Sequence, residues 1–425
     1  MGVRDRTEAA LARIAAAPEA AIFTRVYAQR ARAEADAADA RRRDGVTLGA
    51  LDGALVSIKD LFDVAGETTL AGSRLLADQP PASADAPVVA RLRRAGAVIL
   101  GKTSMSEFAF SGLGLNPHTG TPGNAHDPAR IPGGSSAGAG VAVALGLCDI
   151  AIGTDTGGSV RIPAAFNGIV GLKPTARRVP TAGAFPLSYT LDSIGPLAAT
   201  VQVCADADAV MSGGETGPVV PATLAGLRIG VPRGRLFADT EPAVAQAFEA
   251  TLGRLSAAGA RIADIDIEDI LEAMRLALAA APIAAAEAAA IHADWLESRA
   301  AEFDPRVLQR IRSGAGVTAP AYVRTLRRRA ELVAMAAARL DACDVLALPT
   351  VPMLAPLLAP LEDDDAAFAR TNLLALRNPT VGNFLDLCGL SLPMRTDGLP
   401  AGLMLMAPAL QDARLLAIGR AVEAL

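Results

Sequence analysis

Two short glycine-serine turns, Gly133-Gly134-Ser135-Ser136 and Thr156-Gly157-Gly158-Ser159, lie in one Gly-, Ser- and Thr-rich segment between Thr119 and Thr175. The second follows a strand-like run ending near Gly153 and precedes the helix-like stretch Val160 to Phe166, which places Ser159 at a tight strand-to-helix turn. Such a turn exposes a hydroxyl and aims backbone N–H groups at one point. Amide hydrolysis needs that arrangement, because the carbonyl oxygen becomes an anion as the nucleophile adds and the donors must already face it. A serine hydroxyl is a poor nucleophile at neutral pH, so a base must take its proton. With no histidine nearby in sequence, lysine is the base to look for. Lys59 ends the apolar run Ala54 to Ile58, which would carry it to a sheet edge where burial favours the neutral amine. Lys102 and Lys173 are rivals on the same grounds. The blander reading of the first turn is a helix cap, since the small apolar run Ala137 to Leu147 follows it directly.

Short apolar runs at Ala54 to Ile58, Ala97 to Leu100, Asp149 to Gly153, Leu227 to Val231, Arg261 to Ile267 and Val345 to Leu348 alternate with helix-like stretches, which predicts an α/β layered fold. Pro87 to Arg94, Ala95-Gly96 and Ala97 to Leu100 read as helix, glycine stop and core strand. Helical patterning dominates from about residue 243 to 340 and suggests a cover. Four prolines between Pro349 and Pro360 predict an irregular segment over the surface or a cleft. Runs at Leu390 to Met394 and Leu403 to Met406 flank the turn signal Asp397-Gly398 and are expected to rejoin the sheet, within a C-terminal part of about 344–425. At 425 residues the chain is read as one large domain, 1–425.

Composition removes several function classes. Hydrophobic residues make up 51% and charged residues 20%, enough to bury a core and unlike a disordered chain. A formal net charge of −5 argues against nucleic-acid binding, and the run Arg41 to Arg43 reads as a solvated helix end. Cys148, Cys204, Cys343 and Cys388 are too scattered for a metal or redox motif, and His118, His126 and His292 form no ligand cluster, so neither metal nor other cofactor is expected. Charges at Arg4, Asp5, Arg6, Glu8 and Arg13 argue against a signal peptide or lipid anchor. The apolar stretch Leu276 to Ile291 is interrupted by Pro282 and Glu287 and reads as no membrane span. The expected setting is cytoplasmic, without a membrane partner, and whether the chain forms a homodimer stays open.

The ordered set GALVSIKD, IPGGSSAGAG and GTDTGGSVRIPAAFNGIVGLKPT resembles the amidase signature enzymes. The likeness is dense over about Gly53 to Pro196 and sparse beyond it, at Gly389 to Pro393 and Gly398 to Gly402. It implies a mixed central sheet covered by helices and a serine-serine-lysine mechanism without metal or cofactor. It selects Lys59 over its rivals as the base, Ser135 as a relay behind a cis Gly134–Ser135 peptide, and Ser159 as the nucleophile. Oxyanion donors map to the backbone of Thr156, Gly157, Gly158 and Ser159. Phe110 lies where related enzymes shape the acyl pocket, although a lone aromatic in an apolar run is more often core.

Around this trio Ser136 reads as a cap or supporting hydrogen-bond group. Asp155 and Arg161 read as a brace for the turn, with a substrate-carboxylate role for Arg161 the lesser reading. Thr154 either holds the serine network or is a plain strand-end hydroxyl. No phosphate-binding loop is present, and Ser57 and Lys59 are too close for a Ser-x-x-Lys acylase. The expected partner is a small-molecule amide, which a free-standing amidohydrolase would cleave. The alternatives are the glutaminase subunit of a tRNA-dependent amidotransferase, disfavoured by its usual greater length, and a catalytically silent scaffold.

Overall fold

The structure is a computed structural model that describes residues 1–17 and 20–425. Among the described residues eleven strands form one sheet: β1 (Phe23–Val26), β2 (Leu55–Lys59), β3 (Val98–Thr103), β4 (Ile150–Asp155), β5 (Val170–Lys173), β6 (Ser193–Ala198), β7 (Arg228–Val231), β8 (Arg261–Asp264), β9 (Val345–Pro349), β10 (Cys388–Met394) and β11 (Ala401–Ala407). Their order is β1-β3-β2-β4-β6-β5-β10-β11-β9-β7-β8. The sheet is mixed. Parallel groups β3-β2-β4 and β9-β7-β8 flank an antiparallel centre through β6, β5, β10 and β11.

Every residue of β2, β3 and β4 is buried, because helices cover both faces of this part of the sheet and its strands therefore read as apolar runs without alternation. The helix Ala137–Ala144 lies close against the sheet. A Cβ at Gly138 would stand 2.2 Å from the Ile22 carbonyl oxygen, so only glycine allows that approach. The antiparallel pairing of β10 with β5 carries the C-terminal strands into the same sheet as the signature segment.

Helices Pro242–Ala257, Glu268–Ala280, Ile283–Ile291, Pro305–Ala315 and Ala319–Leu340 fill most of the region read as a helical cover, with β8 between the first two. Glu268–Ile291 is long and apolar enough to cross a membrane by length and composition, yet it breaks into two helices at Ala281-Pro282. Glu287 on the second of these helices accepts hydrogen bonds from Ser188, Thr190 and Tyr322. The proline-rich segment departs from its surface reading. Val351, Met353 and Ala355 are buried, and backbone bonds Ile131 N to Pro356 O and Leu358 N to Ala129 O seat it against the stretch of chain leading to Ser135. Apolar side chains at these positions outweigh the irregular backbone that the prolines impose.

Candidate active site

Parallel neighbours β2 and β4 bring their carboxyl ends to the same edge of the sheet, the edge where open α/β sheets bind ligands. Lys59 ends β2, and Thr154 and Asp155 end β4. The fully buried Lys59 Nζ lies 2.7 Å from Ser135 Oγ and 2.8 Å from Thr154 Oγ1. Burial pulls its ammonium down to about 7, and the carboxylates of Asp192 and Asp155 oppose that pull. Of its rivals, Lys102 pairs at 4.0 Å with Asp60, and Lys173 donates to the Pro174 carbonyl.

The peptide Gly134–Ser135 is cis. The loop preceding it is pinned twice, because Ser106 N donates to Ser135 O at 3.1 Å and Gly134 N donates to Gly112 O at 2.8 Å. Ser136 makes no side-chain cap to the helix it starts; its hydroxyl donates to the Thr154 carbonyl at 3.4 Å, a supporting bond. Its N–H donates to the Ser159 carbonyl at 3.2 Å, which holds the two glycine-serine turns side by side. Ser159 sits between β4 and the helix Arg161–Asn167, at the strand-to-helix turn its spacing implied. Its hydroxyl makes no hydrogen bond to another side chain among the described residues, and a direct bond to Ser135 Oγ is not formed in this state.

The Asp155 carboxylate organises the turn. It accepts from the N–H groups of Gly158 (2.8 Å), Val160 (3.2 Å) and Arg161 (3.4 Å). The Arg161 guanidinium grips it with two bonds, at 3.0 and 2.9 Å, and no part of either side chain is exposed. Burial by itself would raise the Asp155 carboxyl, but Arg161 outweighs that and holds it well below the usual carboxylate range. Arg161 also donates to Asn383 Oδ1 at 2.6 Å, so its donors are spent inside the protein, as a brace requires. One expected oxyanion donor needs correction: the Gly158 N–H points at Asp155 and is not free. The N–H groups of Thr156, Gly157 and Ser159 stay uncommitted among the described residues.

Two contributors escaped the sequence reading. Asp192 precedes β6, accepts from Thr156 Oγ1 at 2.5 Å, and is raised by burial to about 6. Asn383, on the helix Asp365–Phe384, donates to both the carbonyl and the carboxylate of Asp155. Arg310, on the helix Pro305–Ala315, stacks its guanidinium over the ring of Phe110 at 4.5 Å. Phe110 itself is only 6% exposed and belongs to a core cluster with Met105 and Phe108. Thr154, left between two roles by its sequence, contacts the lysine directly. No group of three His, Cys, Asp or Glu suited to a metal occurs among the described residues.

The amidase family model matches residues 5–416. The 2-amino-5-chloromuconic acid deaminase of Comamonas testosteroni is 41% identical over 93% of this chain and 86% of its own length. A glutamyl-tRNA(Gln) amidotransferase subunit of Roseiflexus sp. (strain RS-1) is 36% identical over 99% of this chain and 92% of its own length. The crystal structure of the native peptide amidase of Stenotrophomonas maltophilia superposes with a TM-score of 0.82, at 30% identity, over 100% of this chain and 93% of that one. The chain belongs to the amidase signature family, enzymes that hydrolyse amide C–N bonds.

Proposed function

We propose that this chain hydrolyses a small carboxylic amide through an acyl-enzyme on Ser159, with Lys59 as base and Ser135 as relay. The observation that carries the reading is the buried Lys59 amine, drawn toward its neutral form and held 2.7 Å from Ser135 Oγ. Neutral Lys59 takes the Ser135 proton as Ser135 takes that of Ser159, and the Ser159 oxygen adds to the amide carbon. The anionic oxygen that results faces the N–H groups of Thr156, Gly157 and Ser159. The proton held on Lys59 returns through Ser135 to the amide nitrogen, the C–N bond breaks, and ammonia or an amine leaves. Water then enters, gives a proton back along the same chain, and releases the carboxylic acid. Asp155, Arg161 and Asn383 act by positioning the turn, and Thr154 by orienting the lysine. None of these steps calls on a metal or other cofactor.

The family contains both free hydrolases and amidotransferase components, and the relative from Roseiflexus supports the second reading for this chain. The chain spans 92% of that relative, which is the longer of the two, since the match runs over 457 positions against the 425 residues here. A scaffold role gains no support from a lysine so placed. Four unpaired cysteines suit a reducing compartment, and we assign the cytoplasm. The test is ammonia release by the purified chain from aliphatic, aryl and dicarboxylic monoamides, with glutamine included. Turnover of one class, lost in Ser159→Ala by a factor of about 1,000 or more, is expected. Undiminished turnover in that variant would sink the reading, and turnover of glutamine alone, dependent on partner subunits, would favour the amidotransferase.

A further inference from the structure

We propose that Asp192 is a positioning residue that acts as the counter-charge to Lys59, balancing the ammonium that forms when the lysine takes the Ser135 proton. The inference rests on the Lys59 and Ser159 reading and names the acid on which its base depends. A proton taken by Lys59 creates a charge inside the protein, where an ammonium without an anion is strongly unfavourable. Lys59 makes no ion pair among the described residues, and its two bonds go to the hydroxyls of Ser135 and Thr154. Asp155, at the end of β4, is already neutralised by the two bonds from Arg161. Asp192 is held differently, by neutral donors alone. Its Oδ1 accepts from Thr156 Oγ1 at 2.5 Å, and its Oδ2 from the N–H groups of Leu187 at 3.0 Å and Ser188 at 3.1 Å. The site therefore holds one base that lacks an anion and one acid that lacks a cation.

The sheet sets the two groups on either side of β4, whose neighbours are β2 and β6. Lys59 ends β2 and bonds to Thr154, and Asp192 immediately precedes β6, whose Ser193 and Ile194 pair with Asp155 and Thr154. The other charged groups around them are engaged elsewhere. Arg161 stays on Asp155, and Glu287, from the helix Ile283–Ile291, accepts from Ser188, Thr190 and Tyr322 across the loop that ends at Asp192. Burial pulls the Lys59 ammonium down to about 7, and the Asp192 carboxylate opposes that pull ahead of Asp155. Burial raises Asp192 itself to about 6, so it is charged over the range in which Lys59 is neutral and ready to act. Removing its charge lets burial pull the lysine further down and makes it a weaker base.

The experiment follows the rate at which a fluorophosphonate labels Ser159 from about pH 5 to about pH 10 in wild type, Asp192→Asn, Asp192→Ala and Asp192→Glu, with thermal unfolding of each variant. In the wild type the rate is expected to fall as pH drops below about 7. Asp192→Asn keeps the shape of the side chain and an oxygen for the Leu187 and Ser188 N–H groups, so its fold is expected to persist. Its acid limb is expected to move about one unit toward lower pH, and its alkaline plateau to drop about three- to tenfold. Asp192→Ala is expected to move the limb in the same direction, and Asp192→Glu, which retains the charge, to return it to the wild-type position. A role confined to holding the turn would lower the plateau and leave the limb in place. That result, or a limb displaced to higher pH, would overturn the proposal. Unfolding of both neutral variants would also overturn it, by marking a carboxylate that the fold itself needs. Absence of Ser159 labelling in the wild type, or a wild-type profile without an acid limb, would strike the Lys59 and Ser159 reading and the counter-charge with it. A wild-type limb near 7 that stays put in Asp192→Asn would strike Asp192 alone.

Discussion

Lys59 can serve as a base only in the fraction that carries no charge, and its pKa fixes where that fraction appears. Burial pulls the amine to about 7, from an ordinary lysine value near 10.5. The neutral form dominates above that pH and the ammonium below it. Activity is therefore expected to fall about tenfold per unit as pH drops below 7 and to level off above about 8, as read in kcat/KM. An alkaline limb near 10.5 would indicate a solvated lysine, and a flat profile would remove the titrating base. Lys59 and Ser135, which the structure brings into contact, were selected in the sequence by the family resemblance, because a charge ending an apolar run marks Lys102 and Lys173 equally and a serine closing a glycine pair also reads as a helix cap. Asp192 and Asn383 carry no such local mark. They reach the site only through tertiary placement, Asp192 across the β4–β6 pair and Asn383 on a helix far along the chain.

At the scale of elements, the site is an accident of register made reliable by glycine. The turn after β4 must deliver three free N–H groups and one hydroxyl, and Gly158 gives it the shape. Its φ is +126°, and a Cβ there would lie 2.5 Å from the Pro379 Cβ and 2.8 Å from the Ile162 Cδ1. Gly158→Ala is expected to cost about 1–3 kcal/mol of stability through the backbone alone. It is also expected to lower kcat more than tenfold by displacing Ser159. Thermal unfolding and turnover of the variant check both, and a fully stable, fully active variant would contradict the role given to this glycine. The strands easiest to find were β2, β3, β4, β9, β10 and β11, whose buried faces write continuous apolar runs. β6 was hidden by Gly195-Pro196 in its interior, a pair that reads as a break yet lies opposite Gly153 and Ile152 of β4. Missing β6 is why Asp192 was missed.

For the whole molecule, the alternation of elements was enough to indicate an α/β domain, while strand order was not. The eleven-strand sheet joins segments far apart in the chain, and nothing in a short window says that β10 lies beside β5. That pairing, with the helix Asp365–Phe384 packed over the turn, is how the C-terminal third contributes Asn383 to a centre built by the first half. The proposed mechanism requires a covalent intermediate on Ser159, formed by way of Lys59. Its most direct test is to mix the enzyme with a p-nitrophenyl ester, quench within the burst of nitrophenolate, and map the acylated peptide by mass. The acyl group is expected on Ser159, absent in Ser159→Ala and formed far more slowly in Lys59→Ala. An adduct on another residue, or acylation at the full rate without Lys59, would contradict the account.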